Sequence, residues 1–485
     1  MNISINEASI KTNQVTFSEI EKEIYSFVMG VAREMLKAVL KKADNQLAAE
    51  RDSKRFRDKG YRRTTIKTLF GEVEYERRVY KDTEATEHCY VYLLDEALGI
   101  SKVGLVSSEV CKLIATSICE SSYRATANQI TELTGLSISQ QAVWNIVQSL
   151  GEHQGELVTR YSECSKENQG QGEVETPILY EENDGIWIKL QGEAREKNGA
   201  SKEMKVGIAY DGVEYHVSKR GKIRRILHNK IAYAGFMPIK EFRAKKEGLI
   251  ANRFDVDSIE LRVVNGDGAN WIQKQKKKDV ETICVLDEFH RNKKIKECIK
   301  NKEHAKIVEN VLFEGNTNAL LEFLEACLDS GLEESEEAGF RELYTYYDEN
   351  RKALKGYYDR GIEIPKTNAP GVVHHARLGS MESNVFTLIG NRMKGRRACW
   401  SIKGANNMAM LLCAYHTSGF ENLFASIPEI PVIEMEWIDE GKPLAASKVK
   451  EFVGKGYSFP GNISTQGSAS FMRELSKELS KSNII

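Results

Sequence analysis

Between residues 177 and 290 the chain carries five short strand-like segments, and their spacing restricts the sheet they can build. They read "PILYEENDGIWIKL" (177–190), "EMKVGIAYDGV" (203–213), "KIAYAGF" (230–236), "SIELRVVNGDG" (258–268) and "TICVLDEFH" (282–290). Each is short, apolar, rich in β-branched or aromatic residues and ended by turn formers, as buried strands are. The first three lie close together, so an antiparallel meander is expected. The last two are separated by the helix-sized "ANWIQKQKKKDVE", which fits a βαβ crossover. An α/β protein with a mixed sheet is the expectation.

The flanks of this region have a different texture. Residues 16–50 place Phe17, Ile20, Ile24, Val28, Val31, Met35 and Val39 at three- and four-residue steps, the stripe of a long amphipathic helix that serves as core or as an oligomer seam. "TFSE" at 16–19 fits a capping box at its start. Residues 51–82 hold eleven Lys and Arg against six Asp and Glu, and "TTIKTLF" and "VEYERRVY" alternate around Gly71 as a hairpin. Basic groups interleaved with tyrosine on a β-ribbon suit a phosphate backbone, which nominates Arg62, Arg63, Lys67, Arg77 and Arg78; a solvated charged face is the competing reading. Residues 121–151 resemble a helix-turn-helix: one helix over about 124–134 with Ala125, Ile130 and Leu133 inward, a turn at Gly135, and a second helix from Ser137 or Ser139. In that motif the early polar residues of the second helix, here Gln140, Gln141 and Asn145, reach the major groove, although two helices joined by a glycine also occur as plain packing.

After residue 290 the pattern turns helical to about 365, with two further helices at 380–394 and 405–416 and weak order expected beyond 440. The expected organisation is a helical segment over 1–50, a basic hairpin region over 51–120 and a helix-turn-helix over 121–164. A first part of the sheet core over 177–290, a helical insertion over 291–375, the final core helices over 376–420 and a C-terminal extension over 421–485 complete it. Composition narrows the function. With 41% apolar residues the chain can build real cores, and 69 basic against 70 acidic residues give no global field, so a nucleic-acid partner must be met by local patches. Nine cysteines without a C-x-x-C pair suggest reduced thiols. No apolar run is long enough to span a bilayer, and the polar start lacks a signal-peptide core, so an intracellular protein without a membrane partner is expected.

Three carboxylates carry the chemistry. Asp184 lies in the first strand, Asp267 ends the fourth between two glycines, and Glu382 sits in the first turn of the helix beginning near 380. As a plain turn residue Asp267 would be unremarkable, and an aspartate inside a buried strand is costly alone. A divalent cation shared with the other carboxylates supplies the missing partner, because Mg²⁺ prefers hard oxygen ligands.

Taken in order, these segments resemble the RNase H-like DDE transposases, in particular the bacterial insertion-sequence family typified by ISLre, distantly similar to Mutator-type transposases. The resemblance rests on "YRRTTIKTLFGEVEYERRVYKD", "YLLDEALGI", "VVNGDGANWI", "CVLDEFHRNKKI" and "GSMESNVFTLIGNRMKGRRACWS", and spans nearly the whole chain. It implies an RNase H-like mixed sheet with an all-helical insertion, and a mostly helical DNA-binding N-terminal region containing the hairpin and the helix-turn-helix. It implies Asp184, Asp267 and Glu382 as ligands of two Mg²⁺ (or Mn²⁺) ions, which would activate a water or a 3′-hydroxyl for in-line attack on a phosphodiester. A gap of 115 residues between Asp267 and Glu382 leaves room for the insertion. The implied partner is double-stranded DNA, both element ends and target, held by a homodimer or larger assembly associated with the bacterial nucleoid in the cytoplasm.

His290 reads as a site-adjacent group that contacts the scissile phosphate, or as a helix cap. Arg392, Lys394, Arg396 and Arg397, together with "KRGKIRR" (219–225) and "QKQKKK" (273–278), would line the DNA track. His374 and His375 read as structural, and no zinc spacing is present. Strand alternation sets Glu182 on the face of Asp184 and Glu181 on the other. A structure-selective nuclease that cuts without joining, and a relative that binds DNA without catalysis, are the alternatives.

Overall fold

The structure, a computed structural model, describes residues 16–85, 90–98, 106–166, 172–268, 280–314, 316–365, 371–373 and 378–426. The segments 273–278 and 374–375 and the tail beyond 426 lie outside the described residues, as does the side chain of Arg396. The chain divides into two compact units: one holds residues up to 111 together with 127–138, the other 112–126 and 139–426.

In the first unit the capping box at Thr16 forms as expected: the Glu19 amide donates to Thr16 Oγ1 at 3.3 Å and the Thr16 amide to Glu19 Oε2 at 2.8 Å. The helix it starts runs Phe17–Glu50. Only its second half is core. Leu40 and Ala43 are buried with Ile66, Val73, Tyr75 and Leu94, whereas Phe17, Ile24 and Val28 are exposed. The hairpin pairs β1 (Phe56–Thr68) with β2 (Gly71–Asp82), antiparallel from Phe56↔Asp82 to Thr68↔Gly71, and β3 (Tyr90–Val91) adds to β2. Every second residue of β2 from Gly71 to Tyr75 is buried, which is the period a half-covered ribbon demands.

Two helices, Tyr123–Thr134 and Gln140–Lys166, occur where the spacing predicted, with Gly135 between them at φ +67°. Leu133, expected inward, is 60% exposed; Ala127 and Ile130 take the buried positions.

The second unit is built on a five-stranded sheet ordered β10-β9-β4-β5-β8. The strands are β4 (Ile178–Lys189), β5 (Ser201–Tyr210), β8 (Ile231–Gly235), β9 (Leu261–Gly266) and β10 (Glu281–Leu286). β4, β5 and β8 pair antiparallel, while β9 and β10 run parallel to β4. The meander and the parallel pair are therefore as expected. One addition breaks the meander: β6 (Gly212–Val217) and β7 (Ile223–His228) form a separate small sheet with β11 (Val372–Val373). The insertion after 290 is consequently not all helical, because β11 returns to pair with β6. Its helices, Lys302–Phe313, Thr317–Asp329 and Glu334–Glu349, share a core around Val308, Leu320, Leu321, Leu324, Phe340 and Leu343.

On one face of β4 a buried ionic network stiffens the sheet. Lys246 Nζ lies 2.6 Å from Glu181 Oε2 and donates to Asn183 Oδ1 at 2.9 Å, and Arg262 bridges Glu181 and Glu247. Isolated charges there would be prohibitive, and mutual pairing makes them tolerable. Among the described residues no helix is long and apolar enough to cross a membrane.

Candidate active site

Parallel pairing fixes which residues share a level at the strand ends. Glu182 of β4 pairs with Asn265 of β9, and Leu286 of β10 pairs with Gly266. One or two steps further on, Asp184, Asp267 and Asp287 emerge from three neighbouring strands. Parallel open sheets put their sites at this edge.

The glycines around Asp267 have an answer here. Gly268 adopts φ +88°, where a side chain would be strained, and a Cβ there would meet Asn350 Oδ1 at 2.9 Å. The turn is held from the insertion, because the Tyr346 hydroxyl donates to the Asp267 carbonyl at 2.8 Å. Nothing in the local sequence signalled Tyr346 or Asn350; they arrive from a helix some 80 residues away.

Asp287 caps the helix Glu288–Cys298, accepting from the Phe289 and His290 amides. Its Oδ1 also lies 3.2 Å from His290 Nδ1, and its Oδ2 accepts from Asn265 Nδ2 at 2.9 Å. His290 Nε2 is 4.0 Å from Asp184 Oδ1. The imidazole thus stands between two carboxylates, in the first turn of a helix that Asp287 caps.

The electrostatics follow from this packing. Burial raises the Asp184 carboxyl, with Asp267 and Asp287 adding to the rise, while the Gly185 amide and His290 oppose it. The hydrogen bond to Asp287 raises His290, burial opposes, and the Asp184 and Asp267 charges add to the rise. Burial works to raise Asp287 too, but the bonds from His290 and Asn265 outweigh it and leave it lowered. His290 supplies positive charge beside the Asp184 and Asp287 carboxylates.

Glu182, on the same face as Asp184, has the least expected role. Fully buried, it accepts from Tyr210 Oη at 2.6 Å, Asn265 Nδ2 at 3.0 Å and the backbone amides of Gly379, Ser380 and Met381 at 3.1, 3.0 and 3.2 Å. A carboxylate in front of the first amides of a helix satisfies donors that have no intrahelical partner. Gly379 reaches that position with φ +99°. Glu182 thereby moors the helix Met381–Val385, in which Glu382 follows directly after Met381. That helix continues through a π-helical turn, Phe386–Gly390, a distortion common near functional sites.

Asp184 and Asp267 are thus brought within electrostatic reach of each other. Glu382 stands in the moored turn with its side chain exposed, and among the described residues no three His, Cys, Asp or Glu side chains are grouped closely enough to hold a metal ion.

The basic candidates divide. Arg62 and Arg63 are exposed, with Arg63 3.1 Å from Glu76, and Lys67 is paired with Glu72 at 3.1 Å. Arg77 and Arg78 serve the protein's own packing. Arg77 is buried, 2.7 Å from Asp95 and over the Tyr92 ring, and Arg78 lies 2.6 Å from buried Asp44. Arg77 falls on the buried alternation of β2, whereas Arg62, opposite it on the same face, is exposed, and Arg78 is taken by Asp44. Gln140, Gln141 and Asn145 are exposed on the helix Gln140–Lys166, and Gln141 bonds Asn145 at 3.1 Å. Arg392 donates to the Ile118 carbonyl at 2.7 Å and stacks on Tyr123 and Trp400, whereas Lys394 and Arg397 are exposed.

Known proteins resemble this chain along most of its length. UPF0236 protein TTE2489 of Caldanaerobacter subterraneus subsp. tengcongensis is 26% identical over 404 residues, covering 82% of this chain and 78% of the relative. A second protein of that organism, 25% identical over 406 residues with the same coverage, bears a name that joins eleven locus labels. A protein of Streptococcus gallolyticus, named "UPF0236 protein in vanSb 3′ region", is 24% identical over 415 residues, 83% of this chain and 84% of its own. A family model described as "Uncharacterised protein family (UPF0236)" matches residues 10–422, and the chain belongs to that family.

Proposed function

We propose that this protein is a DDE-type DNA transposase, a metal-dependent polynucleotidyl transferase with an RNase H-like core. One observation carries the reading: Asp184 and Asp267 each follow by two residues the paired Glu182 and Asn265 of adjacent parallel strands, and the buried Glu182 carboxylate moors the helix of Glu382. The sheet order supports it, with three antiparallel strands followed by two parallel ones on the far side of β4. So does the relative whose name joins eleven locus labels in one genome, the multiplicity a mobile element produces.

Carboxylate oxygens are the donor type that a hard divalent cation takes. Asp184 is a largely buried carboxylate raised by burial and by two like-charged neighbours, and a cation would reverse that cost. Asp184, Asp267 and Glu382 would hold Mg²⁺ or Mn²⁺, with the Glu382 side chain turning toward the other two. Bound there, the ions would supply an activated water or 3′-hydroxyl and stabilise the leaving oxygen.

The chain's own residues do the rest. Asp287, hydrogen-bonded to His290 Nδ1, raises the imidazole and leaves its Nε2 on the side of Asp184, where it can meet a phosphate oxygen. Tyr346 fixes the Asp267 turn, and Glu182 fixes the start of the Glu382 helix. Exposed Arg62, Arg63, Gln140, Gln141, Asn145, Lys394 and Arg397 would contact double-stranded DNA.

The test is Asp267→Asn, assayed with labelled duplex in Mg²⁺. Cleavage should be abolished while DNA binding, read by mobility shift, is retained. Unchanged cleavage in that variant would remove the active-site assignment.

A further inference from the structure

Outside the carboxylate site, a cavity of about 460 Å³ opens in the second unit. Its wall carries Arg224 of β7, Lys230 from the turn after β7, and Arg253 at the C-terminal end of the helix Ile239–Arg253. Asn384 and Thr387 face it from the Glu382 helix, and Thr417 from the end of the helix Ile402–Tyr415.

Three features point to an anion. Among the described residues Arg224, Lys230 and Arg253 form no ion pair with a carboxylate, which is unusual for basic groups crowded on one wall. Lys230 is half-buried and, among the described residues, donates to the neutral Asn384 Oδ1 at 3.2 Å; burial lowers its ammonium, as expected of a cation lacking a countercharge. The Arg253 Nε is buried with no acceptor, although its Nη2 donates to Asn229 Oδ1. That asparagine is itself held at φ +47°, a region non-glycine residues seldom occupy, with its amide on Asp211. Strain of this kind persists where surrounding structure enforces it, often at binding sites. The remaining wall adds the hydroxyls of Thr387 and Ser418, the ring of His416, Arg225 and the apolar Ile226 and Leu227, so positive charge outweighs neutral donors in the cavity.

We propose that this cavity binds a phosphate group, held by Arg224, Lys230 and Arg253 with Thr387 as a neutral donor. Resting on the function proposed above, the phosphate belongs to a nucleic-acid strand. Asn384 and Thr387 lie two and five residues beyond Glu382 on the same helix, so a phosphodiester seated here fixes the strand relative to the carboxylates.

Calorimetric titration of the full chain with inorganic phosphate, without divalent metal, tests the site itself. The parent should bind, and Lys230→Met and Arg253→Met should each weaken binding by about tenfold, the loss of one charge-assisted hydrogen bond. Arg224→Ala, at an exposed position that cannot endanger folding, should weaken it by a smaller factor. No binding by the parent, or equal binding by all three variants, overturns the proposal. Competition then separates the sources. A short single-stranded oligonucleotide without terminal phosphates should displace phosphate, and its log affinity against log salt should flatten by about 0.7 in Arg224→Ala. Displacement by deoxyadenosine monophosphate alone would keep the phosphate chemistry and overturn its assignment to a strand. Phosphate binding that survives in Asp184→Asn while cleavage is lost separates failure of this cavity from failure of the carboxylate site.

Discussion

At the scale of single residues, the carboxylate that does no chemistry is the most informative. Glu182 is fully buried and gathers five donors from β5, β9 and the start of the Glu382 helix. Glu182→Gln keeps the shape but turns an amide toward backbone N–H groups that need an acceptor. We expect a loss of about 2 kcal/mol in urea unfolding, the scale of hydrogen bonds to a charged group. A stability equal to the parent would mean that the helix holds its place without this carboxylate. His416 gives a pH dependence. Burial lowers its imidazole first, Lys230 lowers it further, and Glu120 opposes. A folded pKa below the unfolded value of about 6.5 gives stability that is present above that value and lost as pH falls through the folded one. Urea unfolding between neutral and mildly acidic pH should therefore show a decline that is shallower in His416→Gln. An identical slope in both proteins would show that this imidazole does not contribute.

At the scale of elements, periodicity found what local packing determines and missed what distance determines. The capped helix at 17–50, the hairpin, the antiparallel meander and the parallel pair β9–β10 were legible, because each follows from apolar spacing over a few residues. The candidate site was half legible. Asp184, Asp267 and His290 stand at one sheet edge, but Glu382 is exposed and not grouped with them, and Asn265, Tyr346 and the mooring by Glu182 depend on partners 79 to 199 residues away, which no window contains. The small sheet of β6, β7 and β11 was invisible for the same reason: two residues of β11 carry no periodic signal. The ribbon shows the opposite limit. Its charge count nominated five basic residues, yet alternation puts Arg77 inside, against Asp95, and Asp44 takes Arg78. Two predictions belong here. Tyr346→Phe removes only the hydroxyl that holds the Asp267 turn, so stability should fall by about 1 kcal/mol, read by urea unfolding, with cleavage falling further than binding. Replacing Arg62 and Arg63 by Ala should weaken duplex binding and reduce its log–log salt slope by about 2. An unaltered slope would remove these two residues from the DNA interface.

At the scale of the whole molecule, the basic ribbon and the proposed chemistry fall in different units of the chain, while Gln140, Gln141 and Asn145 share the second unit with the carboxylates. Arg62 and Arg63 belong to the first, and Asp184, Asp267, Glu382 and the phosphate cavity to the second. Recognition of an element end and the chemistry upon it should then be separable by mutation. Strand transfer from a pre-cut end with a free 3′-hydroxyl is the decisive assay, since it bypasses first-strand cleavage and asks only for joining. The parent should join such an end to target duplex in Mg²⁺. The Arg62 and Arg63 double variant should recover joining at high protein concentration, because its defect is one of occupancy, whereas Asp267→Asn should not recover at any concentration. Hydrolysis of duplex by the parent without joining would identify a nuclease instead. Joining that the double variant cannot recover would show that the basic ribbon contributes to the chemical step, and ribbon and carboxylates could no longer be assigned separate tasks.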